Sequence, residues 1–226
     1  MRTRRATAAS FVRATLHRYS AHAFVLRSLK VADMMIGAAL FNARQTGLDK
    51  QQAVQEKLAL LACYREGINA HLTAAVALAE HSPGGLLMPN QSLLYTRRVL
   101  ASLQLNAMMH LCRELCGGQI CVTPDFAAFQ DPETAPWLEK YYTINADWRS
   151  EDRRACSRSR DLLNSDYAGH RLTFQLFAQS PPFANLAAAY RNFDWDAPLR
   201  SVHKSAGLSG LVPAGTGPLR SPTTGT

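Results

Sequence analysis

The chain has 226 residues, 47% of them hydrophobic, and a formal net charge of +8 at pH 7. That length fits one domain, and the abundance of leucine and alanine over aromatic residues favours helices over a sheet. The sequence contains neither a signal-peptide core nor an apolar run of 18 residues, which argues against a secreted or membrane-spanning protein. We therefore expect a cytoplasmic, mostly helical protein without membrane contact.

The positive charge is concentrated at the N-terminus, where no acidic residue precedes Asp33. We predict a basic leader over residues 1–15, and its composition also fits an organelle transit peptide. Basic surface suits a phosphate-bearing cofactor as well, whereas no groove-reading motif points to nucleic acid. A second basic cluster, over residues 149–160, is interleaved with acidic residues and predicts solvated helix faces.

Apolar spacing predicts a first long helix over about Ala8–Arg44. Thr46 and Gly47 end it, and Asp49 followed by Gln52 is a capping-box pattern that predicts the start of a second helix, about Lys50–Glu80. Turn-forming residues follow over positions 82–85.

Asn90 is a candidate N-cap for a third helix, Gln91–Cys116, which Gly117 and Gly118 terminate. Four further segments are predicted beyond it. They are a short helix capped by Asp131 with Pro132 at its first position, a long helix over about Asp147–Gln179, a final helix over about Pro182–Arg191, and a disordered tail. We therefore expect an all-α protein, an antiparallel four-helix bundle over residues 16–200 with short helices, and a tail over 201–226.

No catalytic constellation is visible: the GxSxG, HExxH and P-loop patterns are absent, so no catalytic residue is predicted. The five cysteines are an odd number and suggest reduced, mostly buried thiols. Cys112 and Cys116 lie four residues apart, but they lack zinc-site spacing and are interpreted as core residues. No metal is therefore predicted.

Gly117 and Gly118 form the one segment of local interest. A glycine pair after a helix provides an ordinary C-cap. It also lets a ligand or another chain approach the backbone, whose amides then meet a diphosphate or nucleotide. The residues alone leave both interpretations open.

Five segments, in order, resemble a known family: LHRYSAHAFVLRSLKVADMMIGAAL, GLLMPN, RELCGGQICVTPDFAAF, EKYY and RDLLNSDYAGHRLTFQLFAQSPP. Together they are similar to the C-terminal domain of 4-hydroxyphenylacetate 3-monooxygenase, from about Leu16 to Asp196. The resemblance implies a bundle like the C-terminal domain of acyl-CoA dehydrogenases, assembled as a homotetramer. It also implies a two-component flavoprotein monooxygenase, whose oxygenase takes reduced FAD from a separate flavin reductase and hydroxylates a small phenolic substrate ortho to its hydroxyl group.

By position, Gly117 and Gly118 match the glycine pair that the resemblance places beside FAD of a neighbouring subunit. Arg27 and Lys30 match basic positions on the first bundle helix. His170 and Arg171 lie where the family usually has Arg-Gln, so a switchable histidine replaces a fixed bidentate donor. Since the family's N-terminal helices and β-domain hold most of its substrate pocket, we expect a fragment or one part of a split enzyme, inactive alone.

Two other interpretations stay open. One is a non-catalytic bundle that keeps an oligomer interface and regulates a full-length partner. The other is a relative of 4-hydroxybutyryl-CoA dehydratase, whose iron–sulfur cluster uses a His and a Cys on the first bundle helix. Ser20 and Arg27 occupy those positions here, which disfavours the dehydratase.

Overall fold

The computed structural model of the chain describes residues 15–82, 84–153, 156–177 and 182–207. Within these ranges the protein is helical, apart from one small sheet. The first half contains α1 (Leu16–Gln45), a 3₁₀ turn (Leu48–Lys50), α2 (Gln52–Ala77), the strands β1 (Glu80–His81) and β2 (Leu87–Met88), which pair antiparallel, and α3 (Gln91–Cys116).

Shorter elements follow. They are α4 (Gln119–Val122), a 3₁₀ turn (Phe126–Phe129), α5 (Ala135–Tyr142), α6 (Ser150–Arg153), α7 (Cys156–Leu163), α8 (Asp166–Phe177), α9 (Pro182–Asn192) and α10 (Asp196–Ser205). None of the helices in the described ranges combines the length and apolar character needed to cross a membrane.

Helices α1, α2, α3 and the segmented run α6–α8 form an up-down-up-down bundle. Helices α1 and α3 run parallel, since Arg18 near the start of α1 bonds Gln91 at the start of α3, and Asn42 near the end of α1 bonds Leu115. The fourth limb runs back along α1, because Gln175 in α8 donates to Ser28. The prediction of an antiparallel four-helix bundle is therefore confirmed.

The core lies where α1, α2 and α3 meet. On α1 the buried positions recur every three or four residues, as an amphipathic helix requires; they include Ala21, Phe24, Val25, Ser28, Ala32, Met35 and Ala39. Small residues in this stripe let the helices approach closely. Leu61 and Ile68 of α2 and Leu94 and Met108 of α3 complete the same apolar cluster.

The third helix has the predicted bounds, and Asn90 caps it through Oδ1, which accepts from the Leu93 amide at 3.1 Å. The capping box at Asp49 was wrong. Gly47 takes φ +70°, the chain closes a 3₁₀ turn that contains Asp49, and α2 begins only at Gln52, with no side-chain cap from Gln51.

The predicted start of the short helix was also wrong. Asp131 accepts from the Glu133 amide in a local turn, and α5 begins at Ala135. The single long helix predicted over Asp147–Gln179 is divided into α6, α7 and α8. It breaks before α8, where Ser165 Oγ accepts from the Ala168 amide and caps a new helix.

Near the C-terminus, α9 agrees with the prediction to within one residue, whereas α10 was not foreseen. Residues 201–205, assigned to the tail by composition, lie in α10. They follow Asp194, whose Oδ1 accepts from the amides of residues 196 and 197 at the helix start. The remaining tail from 208 and the leader before 15 lie outside the described residues.

Candidate functional site

Helix α3 ends in a backbone turn that only glycine adopts readily. Gly117 has φ +56° and ψ −146°, outside the regions open to residues with a Cβ, and its amide donates to the Arg113 carbonyl at 2.8 Å. Gly118 has φ −62° and ψ −17°, an ordinary right-handed conformation. A Cβ added at either position would meet no atom within 4 Å.

The two glycines therefore differ in what the chain itself requires. Gly117 is needed for its dihedral angles. Neither the backbone conformation nor the packing of this chain requires a glycine at position 118, which is exposed. A glycine here leaves room for another molecule to come close to the backbone.

A buried polar network lies next to this turn. Asn42 Nδ2 donates to the Leu115 carbonyl at 2.8 Å, and Gln45 Nε2 donates to Asn42 Oδ1 at 2.9 Å. Arg153 donates to Gln45 Oε1 at 3.1 Å and lies 4.0 Å from the centre of the Tyr142 ring. Burial raises the pKa of Tyr142, so its hydroxyl stays neutral and hydrogen-bonded at neutral pH.

The interpretation of the second basic cluster as solvated surface holds for Arg149, whose side chain is 62% exposed, and is corrected for two other arginines. Arg153 is only 5% exposed and binds Gln45 of α1 and the Tyr142 carbonyl at the end of α5. Arg160 donates to the Thr123 carbonyl at 3.0 Å and pairs with Asp125, which connects the fourth limb to the loop after the glycine pair. The alternating charges gave no signal of this, because the partners of both arginines are distant in sequence.

The cysteines near the turn are packed, as predicted, with two exceptions. Cys112, Cys116 and Cys156 are buried, and the Cys112 thiol donates to the Met35 carbonyl at 3.3 Å. Cys63 and Cys121 are exposed. In the described part of the chain no three His, Cys, Asp or Glu side chains cluster as metal ligands would.

The four predicted cationic or switchable residues are exposed. Arg27 and Lys30 lie on α1, and Lys30 makes only a 4.0 Å contact with Asp33. His170 and Arg171 lie on α8. No hydrogen bond or ion pair within the described ranges engages Arg27, His170 or Arg171, so all three are available to an outside anion.

The structure does not bring these residues and the glycines to one point. Asn42, which contacts the α3 end, is fifteen residues from Arg27, a separation of about 22 Å at 1.5 Å per residue. His170 and Arg171 lie between, since Gln175 is level with Ser28 and α8 runs antiparallel to α1. One protomer thus presents a glycine turn at one end and cations farther along its side.

The chain is similar in sequence to known enzymes and similar in fold to solved structures. It is 25% identical over 177 residues to the FADH(2)-dependent monooxygenase TftD of Burkholderia cepacia, covering 76% of this chain and 34% of that protein. It is 26% identical over 161 residues to 2,4,6-trichlorophenol monooxygenase of Cupriavidus pinatubonensis (strain JMP 134 / LMG 1197), covering 71% of this chain and 31% of that one. The chain spans about a third of the length of these relatives.

Among solved structures, a mutant of HpaB complexed with FAD superimposes with a TM-score of 0.76 at 23% identity, over 85% of this chain and 40% of that one. An archaeal 4-hydroxybutyryl-CoA dehydratase from N. maritimus gives 0.78 at 19% identity, over 91% and 41%. At these identities the likeness shows the fold alone, and it confirms a helical bundle of the acyl-CoA dehydrogenase C-terminal type.

The shared fold therefore does not separate a hydroxylase from a dehydratase. The two relatives that are similar in sequence are both monooxygenases. The family model of the 4-hydroxyphenylacetate 3-hydroxylase C-terminal region, HpaB, matches residues 6–207. The chain belongs to this family.

Proposed function

We propose that this chain is the helical-bundle part of a two-component aromatic monooxygenase, in which it forms one wall of a flavin site and an interface between subunits. Its substrate would be a small phenol, and its partner a reductase that supplies reduced FAD. Family membership supports this proposal, as do relatives named as FADH(2)-dependent and as the oxygenase component of a nitrophenol monooxygenase.

The observation that carries the proposal is the glycine at position 118. Its right-handed backbone accepts any residue, and no atom of the chain fills the space where a Cβ would lie. The close approach of a cofactor or of a second chain gives a physical reason for the missing side chain.

The exposed cations fit the same cofactor. Arg27 and Arg171 have planar guanidinium groups that bind diphosphate oxygens bidentately, and Lys30 adds a third positive charge. Bound reduced FAD would supply the electrons with which oxygen is activated for ring hydroxylation.

The separation of about 22 Å along α1 leads us to propose that the glycine pair and the cations of one protomer contact two different FAD molecules. In an oligomer, one FAD would contact the glycine turn of one protomer and the cations of another. Such sharing would explain why one protomer contains two incomplete halves of an FAD site at distant places. It would also make FAD binding depend on oligomer assembly.

A titration of FAD, followed by quenching of its fluorescence, tests the glycine contact. We expect G118A to weaken binding about tenfold, equivalent to about 1.4 kcal/mol, whereas G37A, at an exposed helical glycine on α1 with an equally empty surround, leaves it unchanged. Equal affinity of G118A and the unsubstituted chain would remove Gly118 from the proposed contact.

Mixing two defective variants tests the sharing between protomers. G118A and the double variant R27A/K30A are each expected to bind FAD weakly. If one cofactor uses both protomers, mixed oligomers contain sites in which both halves are intact, and binding is partly restored. If each site is built from one protomer, every site in the mixture stays damaged and no binding returns.

A second candidate function is a non-catalytic bundle that assembles with a partner. It is favoured by an apolar groove between α3, α9 and the residues that follow α9, lined by Leu186, Tyr190, Phe193 and Trp195. These side chains are between 43% and 64% exposed. Oligomers in light scattering without FAD binding below millimolar concentration would favour this role over the flavin site.

A further inference from the structure

A charged side chain lies inside the bundle, away from the proposed flavin contacts. Arg97 on α3 is 1% exposed, and its guanidinium lies beside Gly67 of α2, where an added Cβ would be 3.8 Å from Nη1. Nη1 donates to Gln104 Oε1 at 2.7 Å. That amide is neutral, so it satisfies a hydrogen bond without balancing the charge.

The same arginine has an unused donor. Arg97 Nε has no hydrogen-bond acceptor among the described residues. Burial lowers the pKa of Arg97 to about 10, so the group remains positively charged at neutral pH. A buried charge of this kind is costly unless something pairs with it.

The residue lines a small cavity of about 10 Å³ between α1, α2, α3 and α8. Six of the nine lining residues are apolar and none is acidic; the polar ones are Ser28, Arg97 and Gln175. The space is of the size that one water molecule or one single-atom ion occupies. It is too small for a phosphate or a carboxylate ligand.

Gln175 supplies a second group without a partner. It is 3% exposed, its Nε2 donates to Ser28 Oγ at 3.1 Å, and its Oε1 has no partner in the described chain. A half-turn of the amide exchanges the two atoms. The Ser28 hydroxyl, which otherwise donates to the Phe24 carbonyl at 3.1 Å, then donates to Oε1 instead, and the Gln175 NH₂ group joins Arg97 Nε as a donor at the cavity.

The neighbouring residue is a second buried arginine. Arg98 is 3% exposed, and its guanidinium carbon lies 5.7 Å from the ring centres of Phe24 and Tyr95. Phe24 also lines the cavity, whereas Arg98 does not. Among the described residues no carboxylate lines the cavity, so the charge of Arg97 has no counter-ion there.

We propose that this cavity is a binding site for one halide-sized monovalent anion, chloride under ordinary conditions, held by Arg97 Nε and the turned amide of Gln175. The anion balances the charge of Arg97 and ties α8 to α1 and α3. Arg97 and Gln175 are buried, whereas the proposed flavin contacts are exposed, so no residue belongs to both sites and the anion is tested without flavin.

Thermal unfolding of the 226-residue chain in sodium chloride and in sodium gluconate at equal ionic strength tests the site. We expect the melting temperature to rise by about 4 °C when chloride reaches ten times its dissociation constant, and not to rise in gluconate, which is too large to enter. R97M should lose this chloride dependence, and R191Q, a loss of charge on the exposed surface of α9, should retain it.

Crystals of the unsubstituted chain grown in bromide provide a test that needs no variant. An anomalous peak beside Arg97 Nε and Gln175 would support the site even if R97M fails to fold. A cavity without such a peak, or a melting temperature equal in chloride and gluconate, would overturn the proposal and assign the space to a water molecule.

Discussion

Replacing each of the two adjacent glycines by alanine should change stability in opposite directions. At Gly117, φ +56° with ψ −146° is a conformation that costs a residue with a Cβ about 1–3 kcal/mol. At Gly118 the backbone is already helical, and alanine restricts the unfolded chain, which stabilises by about 0.4–1 kcal/mol. Neither methyl group meets an atom within 4 Å, so packing contributes nothing to either change.

For a chain of this length, 1 kcal/mol shifts the melting temperature by about 2–4 °C. G117A should therefore melt about 2–12 °C lower than the unsubstituted chain, and G118A about 1–4 °C higher. Thermal unfolding followed by far-ultraviolet circular dichroism measures the two melting temperatures. Urea unfolding measures the two free energies of unfolding, with equal m-values as the control for an unchanged unfolded state. If G118A is destabilised as much as G117A, the reasoning from backbone conformation is refuted, and with it the claim that position 118 needs no glycine internally.

Three further outcomes follow from the contacts between helices. Lys57 lies 3.0 Å from Glu114, and its hydrogen bond lowers the pKa of the Glu114 carboxyl group. The stabilisation from this pair is present above the unfolded pKa of about 4.3 and is lost as pH falls through the folded pKa. The free energy of unfolding of E114Q, measured by urea titration between neutral and acid pH, should therefore depend less on pH than that of the unsubstituted chain. N42A should cost about 2 kcal/mol in urea unfolding, because the buried Leu115 carbonyl loses its donor, and N106A on the exposed side of the same α3 helix should cost far less. A thiol reagent should modify two of the five cysteines rapidly in the folded chain and the other three only in denaturant; rapid reaction of all five would contradict the buried positions.

Local signals predicted the parts of the fold that local chemistry determines. The third helix has a capping asparagine at its start and two glycines at its end, and its predicted bounds agree with the structure. The capping box at Asp49 was an equally local signal, yet it was wrong. Gly47 had already turned the chain into a left-handed conformation, which delayed the start of α2.

The fourth limb shows where periodicity misleads. Apolar and aromatic residues at helical spacing run through residues 162–177, and they predict one continuous helix. The Ser165–Asp166 pair inside the run was an available start signal, and Ser165 does cap α8. The burial of Arg97 and Arg153 was not predictable from the sequence, because it depends on contacts between several helices. An arginine in a sequence is usually expected to be exposed to solvent.

The six candidate cofactor residues were predicted from a resemblance, which places the glycine pair beside FAD of a neighbouring subunit but compares positions along the chain and contains no distances. Helix geometry supplies those distances. The pairing of Asn42 with Leu115 places Gly117 level with the end of α1, and the pairing of Gln175 with Ser28 places the cations of α8 nearer the middle. Since an α-helix is rigid over these lengths, side-chain movement alone does not bring Arg27 to the glycine turn, about 22 Å farther along α1. We therefore propose that a second chain completes a cofactor site that uses both the glycine pair and the cations of α1, so that cofactor binding depends on assembly.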